Sequence, residues 1–152
     1  MKYYSGKFRP SNPGKYLGNI RNVKYRSLWE RQVFRWCDTN GSVKAWSSEE
    51  MGIPYKCKTD GKTHIYIPDL KIIWENGETH VIEIKPKSQT LPPKPQTRKT
   101  KNYILSVLMY AKNVSKWEAA AAWCEKHDMI FAIWTEETIQ NLGIKLLTSK
   151  YK

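Results

Sequence analysis

The sequence predicts an α/β domain whose mixed β-sheet is flanked by helices. The 152 residues are enough for one domain with a real core, and 40% of them are hydrophobic. The middle third contains short apolar runs separated by turn residues, which is typical of strands. Apolar residues at helical spacing occur before and after these runs, so helices are expected on both sides of them in the chain.

A basic N-terminal arm is expected over residues 1–24, and a single domain over residues 25–152. The arm contains several Gly and Pro residues among basic and aromatic ones and shows no sustained periodicity. Its aromatic residues have two open roles, stacking on bases or packing onto the body of the domain. These residues are Tyr3, Tyr4, Phe8 and Tyr16.

The first helix is predicted over residues 27–38, where apolar residues follow helical spacing and Ser27 with Glu30 fits a capping box. Strands follow at residues 43–46, 53–58, 64–74 and 79–85. An Asp-Gly pair predicts a hairpin turn at residues 59–62. The middle third is therefore expected to form an antiparallel meander.

The last third begins with a spacer predicted over residues 86–96, in which Pro92-Pro93-Lys94-Pro95 favours extended polyproline geometry. Helices are then predicted at residues 100–111, 115–126 and 135–142, with a short buried strand at 129–134. Ser115 and Glu118 fit a second capping box, which starts the alanine-rich middle helix. Gly143 ends the last helix.

Positive charge is concentrated in two stretches of the chain, which has a net charge of +12. No Asp or Glu occurs before Glu30 or from Ile84 to Trp117, and these stretches hold seven and eight of the 26 lysines and arginines. Such segregation favours a polyanionic partner, of which nucleic acid is the commonest. A generic solubilising surface is the alternative. No basic amphipathic helix of the interfacial type is apparent, so an anionic membrane is not expected as a partner.

Two carboxylates and an amine on neighbouring strand-like segments form the candidate site. Asp69 follows Pro68, and Glu83, Ile84 and Lys85 come fourteen residues later. Strand periodicity directs Glu83 and Lys85 to one face and Ile84 to the other. The two carboxylates suit Mg²⁺ or Mn²⁺, and a lysine beside them can orient or deprotonate a water. These groups fit metal-assisted hydrolysis of phosphodiester bonds.

The register between the two segments tests this interpretation. An ordinary two-residue turn at the Asn-Gly pair of the loop would place Asp69 opposite Ile84, facing away from Glu83. We therefore predict a bulge, a different loop closure or a distorted strand near Pro68. A regular hairpin would favour the alternative, in which the carboxylates form surface ion pairs with neighbouring lysines.

Other charged residues are candidates for supporting roles. Glu30 either only completes its capping box or joins the site, and Glu50 either joins the acidic cluster or lies in a loop. Eight basic residues around residue 24 and after the last candidate strand are expected to bind the nucleic-acid backbone. They are Arg21, Lys24, Arg26, Lys87, Lys94, Arg98, Lys99 and Lys101.

Other classes of function lack support in the sequence. Cys37, Cys57 and Cys124 are odd in number and lack metal-ligand spacing, so they are interpreted as reduced thiols. The three histidines are equally scattered, and a zinc site is not expected. No signal peptide or transmembrane run is visible. Neither a membrane nor a small-molecule organic cofactor is expected.

These motifs resemble the PD-(D/E)XK nuclease signature, with Pro68-Asp69 as its first half and Glu83-Ile84-Lys85 as its second. The helix around Glu30 is similar to the one that carries an additional glutamate in many members. A further ordered series resembles the TnsA-like branch, and most of all the head completion nucleases of large tailed bacteriophages. It comprises Cys37-Asp38, Trp46-Ser47-Ser48-Glu49, Ile53-Pro54-Tyr55, His64-Ile65-Tyr66-Ile67 and Lys116-Trp117-Glu118.

The resemblance implies a restriction-endonuclease-like core, a divalent cation (Mg²⁺ or Mn²⁺) and cleavage of DNA. Asp69, Glu83, Ile84 and Glu30 are then the metal ligands. Glu30, Asp69, Glu83 and Lys85 are the catalytic residues, and Lys85 acts on the water. The resemblance also implies a role in completing the DNA-filled head, with head or portal proteins as partners, in the virion or the infected-cell cytoplasm.

Two alternatives to this function stay open. The first is a non-catalytic head or portal component that uses a nuclease fold only to grip DNA. The second is a cellular TnsA-like or restriction-type endonuclease, which would cut in a sequence-dependent or complex-dependent way.

Overall fold

A computed structural model describes residues 4–146 of the chain. The strands in this range are β1 (Gly6–Lys7), β2 (Lys24–Tyr25), β3 (Val43–Ser47), β4 (Ile53–Lys56), β5 (Thr63–Tyr66), β6 (Leu70–Trp74), β7 (Thr79–Ile84) and β8 (Ile130–Trp134). The helices are α1 (Leu28–Thr39), α2 (Lys101–Lys126) and α3 (Glu136–Asn141). Short 3-10 turns occur at Pro13–Lys15, Ile20–Asn22 and Lys87–Thr90.

A four-stranded mixed sheet with the strand order β3-β6-β7-β8 lies at the centre of the fold. Its first three strands are antiparallel, and β8 runs parallel to β7. Side chains of a strand alternate between the two faces of a sheet. In β7, Ile82 accordingly packs with residues of α1 and α3, and Val81 with residues of α2. Helices cover both faces, which confirms the predicted α/β domain with a mixed, flanked sheet.

The predicted long strand at residues 64–74 is wrong, because two strands of different sheets form there. β5 pairs with β4 in a separate two-stranded hairpin, whereas β6 joins the central sheet. Pro68 lies between them, lacks an N–H for a strand ladder and restricts the residue before it. The middle third is therefore not one meander, although the predicted hairpin around residues 59–62 is present.

Helix α2 is one continuous helix of 26 residues, so the prediction of two helices in this range is wrong. Ser115, predicted to cap the second helix, lies inside α2, and its hydroxyl donates to the carbonyl oxygen of Ala111 at 3.0 Å. No glycine or proline interrupts residues 101–126, so the two helical patterns run into each other. Strand β8 is also less buried than predicted, since Ile130 is exposed.

The N-terminal segment packs into the core. The ring of Phe8 contacts that of Trp46 edge to face at 5.7 Å between centroids, and Tyr16 contacts Trp46 at 4.8 Å. Val23 is almost fully buried. Of the two roles considered for the aromatic residues of this segment, stacking on bases or packing onto the domain, Phe8 and Tyr16 have the second. Tyr3 lies outside the described residues. The boundary at residue 24 stays a prediction.

The remaining predicted elements lie within a few residues of their expected positions. Ser27 caps α1 by accepting the amide of Glu30 at 3.2 Å. Gly143 follows α3 with φ of 87°, a conformation that ends helices and favours glycine. The three cysteines are buried and unpaired. No helix within residues 4–146 is long and apolar enough to cross a membrane.

Candidate active site

The hairpin of β6 and β7 brings Asp69 and Glu83 to the same face of the central sheet. Leu70 pairs with Ile82, so the next position beyond the ladder sets Asp69 opposite Glu83. The loop closes through three residues, 75–77, instead of two. A two-residue turn would shift the register by one and send the two carboxylates to opposite faces. The predicted irregular loop closure is confirmed.

Asp69 connects the ends of the two strands. Its Oδ2 accepts the backbone N–H of Ile84 at 2.8 Å. This hydrogen bond fixes the Asp69 carboxylate beside the peptide group between Glu83 and Ile84. Because the side chain of Ile84 is apolar, only the backbone of this residue can contribute to the site.

Glu83 is held from two sides. Nζ of Lys85 lies 3.8 Å from its Oε1. Its Oε2 accepts a short hydrogen bond from the hydroxyl of Tyr66 at the end of β5. Glu83 is buried, whereas a quarter of the Lys85 side chain is exposed. The ammonium group therefore borders both a buried carboxylate and the solvent.

Glu30 lies in the first turn of α1 and is also buried. The Ser27 hydroxyl donates to its Oε2 at 3.4 Å, but its Oε1 is buried and has no hydrogen-bond partner within residues 4–146. Burial, followed by the charge of Glu49, raises the pKa of Glu30 to about 7. Capping alone does not account for this side chain, because a buried carboxylate oxygen without a partner is costly.

Asp69 is partly buried, close to the carboxylates of Glu83 and Glu30. Burial is the main cause that raises the pKa of Asp69 to about 8, followed by the charges of Glu83 and Glu30. The amide of Ile84 and the charge of Lys85 act in the opposite direction. The structure therefore brings the other three predicted catalytic residues, Glu30, Glu83 and Lys85, within electrostatic range of Asp69.

Three residues that belong to the quoted motif series, but to which the sequence assigned no role at the site, border the same carboxylates. Tyr66 holds Glu83, and Lys116 of α2 has its Nζ 5.8 Å from the centroid of the Tyr66 ring. Burial, followed by the charge of Lys112, lowers the pKa of Lys116. Glu49 follows β3 and raises the pKa of Glu30. These residues come from three separate elements, so no periodicity in the sequence relates them.

Two of the eight basic residues predicted to bind nucleic acid form ion pairs within residues 4–146, and six do not. Arg26 forms a bidentate ion pair with Glu49 at 2.8 and 3.1 Å, and Nζ of Lys87 lies 3.0 Å from Glu137. The other six are exposed and have no ion pair among the described residues. They are Arg21, Lys24, Lys94, Arg98, Lys99 and Lys101.

Glu50 does not join the carboxylate group. Its Oε2 accepts hydrogen bonds from the hydroxyl of Tyr16 at 3.2 Å and from the amide of Asn19 at 3.1 Å. Of its two alternatives, the structure shows the loop role, in which Glu50 ties the N-terminal segment to the region after β3.

A family model of the N-terminal domain of TnsA-like endonucleases matches residues 40–136, which include Asp69, Glu83 and Lys85. The chain belongs to the TnsA-like endonuclease family. It is also similar to the head completion nuclease of Enterobacteria phage T4, with 40% identity over 146 residues that cover 93% of this chain and 97% of that protein. No solved structure matches the chain. The resemblance inferred from the motifs is confirmed.

The donor groups of this TnsA-like endonuclease suit a hard divalent cation. Carboxylate oxygens are the ligands that Mg²⁺ and Mn²⁺ prefer, and the buried Oε1 of Glu30 has no hydrogen-bond partner in the described part of the chain. The repulsion that raises the pKa of Asp69 favours a cation as well. Within residues 4–146, no three acidic, histidine or cysteine side chains stand close enough to hold an ion as they are placed.

The hydroxyl of Tyr66 is expected to prepare Glu83 for the cation. Tyr66→Phe keeps the buried ring and removes the donor to Glu83 Oε2. We expect the Mg²⁺ concentration for half-maximal cleavage to rise about tenfold, since outer groups that orient a ligand affect metal affinity to this extent. Cleavage rates across a Mg²⁺ titration measure it. Tyr55→Phe, on the paired strand β4, is the control, and equal Mg²⁺ requirements of the two variants would contradict the role.

Proposed function

We propose that the chain is a Mg²⁺- or Mn²⁺-dependent endonuclease that hydrolyses phosphodiester bonds of DNA. The register of β6 and β7 carries the proposal, because it sets Asp69 and Glu83 on one face, with Nζ of Lys85 3.8 Å from Glu83. Two carboxylates with an adjacent amine are suited to metal-assisted hydrolysis. Membership in an endonuclease family supports the reaction class.

In the proposed mechanism, Asp69, Glu83 and Glu30 would hold the cation through carboxylate oxygens, and Ile84 would hold it through its backbone carbonyl. When bound, the ion supplies positive charge to the scissile phosphate and increases the acidity of a bound water. The ammonium group of Lys85 orients the attacking water by donating a hydrogen bond to it. The water oxygen then bonds to phosphorus while the bond to the leaving oxygen in line with it breaks; the proton of the water passes to solvent, and the leaving oxygen takes up a proton from solvent.

Residues around the carboxylates complete the proposed mechanism. Tyr66 keeps the Glu83 carboxylate in position through its hydroxyl. Lys116 adds positive charge on the α2 side, where phosphate oxygens accumulate charge in the transition state. Both residues act on the face of the sheet that Asp69 and Glu83 share.

The exposed basic residues are proposed to hold the DNA backbone. Those around residue 24 and between the turn at Lys87–Thr90 and α2 offer ammonium and guanidinium groups to phosphates. Arg26 and Lys87 keep donors free for phosphates beside their ion pairs with Glu49 and Glu137, but these carboxylates weaken the attraction of the two residues for DNA. Such contacts position DNA without recognising its sequence, and binding is expected to weaken as salt rises.

The relative from phage T4 is named a head completion nuclease, and we propose the same setting for this chain. It would act on packaged DNA or its ends during maturation of a phage head. The proposed location is the virion or the infected-cell cytoplasm. Head or portal proteins are its proposed partners.

Incubation of the purified chain with supercoiled plasmid tests the enzymatic proposal. We expect nicked and linear products with Mg²⁺ or Mn²⁺ and none with EDTA. Binding of DNA without cutting in either cation would contradict the proposal and favour a non-catalytic head or portal component. Cutting that requires a particular sequence or an added protein would favour the TnsA-like or restriction-type alternative.

The raised pKa values of Glu30 and Asp69 predict how stability depends on pH in the absence of divalent cations. Both carboxyls bind protons more tightly in the folded state. Their contribution to the free energy of unfolding is therefore complete below their ordinary pKa values and is lost as the pH rises through about 7 and about 8. In EDTA, we expect the midpoint of thermal unfolding to fall between about pH 5 and pH 8.

Asp69→Asn and added Mg²⁺ provide the controls for this pH dependence. The variant should show a smaller fall, because it lacks one of the titrating groups. Mg²⁺ should raise the midpoint of the wild type most at the upper end of the range, where protons no longer compete for the carboxylates. The same fall in both chains would show that Asp69 does not titrate as expected.

A further inference from the structure

The first half of helix α2 extends beyond the core and is apolar. Every buried residue of α2 lies at or after Asn113. Five large apolar side chains in the preceding half are between 40% and 60% exposed. They are Ile104, Leu105, Val107, Leu108 and Met109. A cluster of this kind on one short segment is unusual for a surface that stays in water.

These side chains cover most of the helix circumference. At 3.6 residues per turn, they span an arc of about 200°, with Val107 and Met109 at its two edges. No charged residue occurs between Lys101 and Lys112. A helical segment that is apolar around most of its circumference is suited to burial within a surrounding surface rather than to a flat contact.

Positive charges lie at both ends of the segment. Lys101 precedes it and Lys112 follows it, and no Asp or Glu occurs from Ile84 to Trp117. A symmetric pair formed with a second copy of the chain would place the same uncompensated lysines around one contact, where like charges repel. The charges therefore favour a different protein that presents carboxylates.

A membrane and DNA fit the segment less well. Interfacial helices carry a strongly charged face along their whole length, and this segment has none. Helices that hold DNA place basic side chains against phosphates, and the ten positions between Lys101 and Lys112 offer no charge. An apolar groove in a folded protein provides both the enclosure and the absence of charge.

We infer that residues 102–111 form a docking helix that inserts into an apolar groove of a partner protein whose rim carries carboxylates opposite Lys101 and Lys112. Helix-in-groove recognition uses apolar anchors on successive turns, as Ile104 and Leu108 provide here. In this inference Lys101 faces the protein partner instead of DNA. The docking helix contains no residue of the carboxylate site, so the inference does not depend on DNA cleavage.

The test compares two double variants of the same helix. Leu105→Gln with Met109→Gln makes the docking helix polar, and Ala121→Gln with Ala122→Gln changes an exposed part beyond it. The probes are two labelled helical-hairpin peptides that share a leucine-lined groove between their two helices, bordered by Glu in one and by Lys in the other. Binding is measured by fluorescence anisotropy at low and high salt, and circular dichroism verifies that each variant folds.

We expect the Glu-bordered peptide to bind the wild type and the Ala121/Ala122 variant equally. It should bind the Leu105/Met109 variant at least about tenfold more weakly, because two apolar anchors are lost. The Lys-bordered peptide should bind the wild type at least about tenfold more weakly than the Glu-bordered one. Plasmid cleavage should be the same in all three chains, so the outcome is separate from that of the proposed function.

Several results would overturn the inference. Equal binding of the two peptides to the wild type would exclude an acidic rim on the partner. If the Glu-bordered peptide bound the wild type and both double variants equally, or bound none of them, the apolar anchors would be excluded. If sedimentation velocity showed self-association of the wild type and of the Ala121/Ala122 variant, but not of the Leu105/Met109 variant, the partner of the helix would be a second copy of the chain. Loss of duplex DNA binding, or of binding to phosphatidylglycerol vesicles, in that variant alone would assign it to nucleic acid or to a membrane.

Discussion

Replacement of Asp69 by Asn is expected to reduce the rate of DNA cleavage by at least about a thousandfold. The substitution removes a negative charge from the proposed ligand set but keeps the size of the side chain and an oxygen that can accept the amide of Ile84. The metal-free fold should not suffer, since the neighbouring carboxylates already repel Asp69. The rate of plasmid nicking in a single turnover at saturating Mg²⁺ measures the effect.

Asp60→Asn is the matched control for this prediction. Asp60 lies in the exposed turn between β4 and β5, where it pairs with His64 at 2.8 Å, so its replacement should leave cleavage close to that of the wild type. Lys85→Met should also reduce cleavage strongly while DNA binding persists, because it removes the amine that acts on the water. Undiminished cleavage by both Asp69→Asn and Lys85→Met would exclude the mechanism.

Tyr16→Ala is expected to lower the free energy of unfolding by about 3–5 kcal/mol, the usual range for truncation of a buried aromatic residue. Tyr16 is only 7% exposed and contacts the ring of Trp46. Its hydroxyl also accepts the amide of Ser48 at 3.2 Å, which would be left without that partner. Chemical denaturation of the wild type and the variant measures the difference.

Leu17→Ala changes the neighbouring position and serves as the control. Leu17 is 46% exposed, and its truncation should cost less than about 1 kcal/mol. If Tyr16→Ala cost no more than Leu17→Ala, the N-terminal segment would make no essential contribution to the core. Residues 1–24 would then behave as the separate arm that the sequence predicts.

Elements with a local cause were predictable from the sequence. Helix α1 follows from the Ser27 cap and the apolar spacing after it, and the turn after β4 follows from its Asp-Gly pair. Predictions were wrong where the same local sequence pattern is compatible with two different structures. The apolar run through Pro68 continues as a new strand in another sheet, and the pattern at Ser115 continues a helix instead of starting one.

The candidate site was predictable in part for the same reason. Glu83 and Lys85 share a face through strand periodicity alone. Asp69 reaches that face only because the loop closes through three residues. The sequence showed that a departure from a regular two-residue turn was required, but it did not show which one forms. Tyr66 and Lys116 occur in the motif series, but their roles were not predictable, because they approach Glu83 from another sheet and from a helix.

The sequence by itself determined the family, the acid and amine pairs of the site and the segregation of positive charge, since these depend on which residues occur and on spacing within one element. Only the tertiary structure decided the register of Asp69 against Glu83, the burial that raises the pKa of Glu30 and the exposure of the first half of α2. These features arise from contacts between segments far apart in the chain. Such contacts depend on how whole elements pack, which short-range periodicity and turn chemistry do not specify.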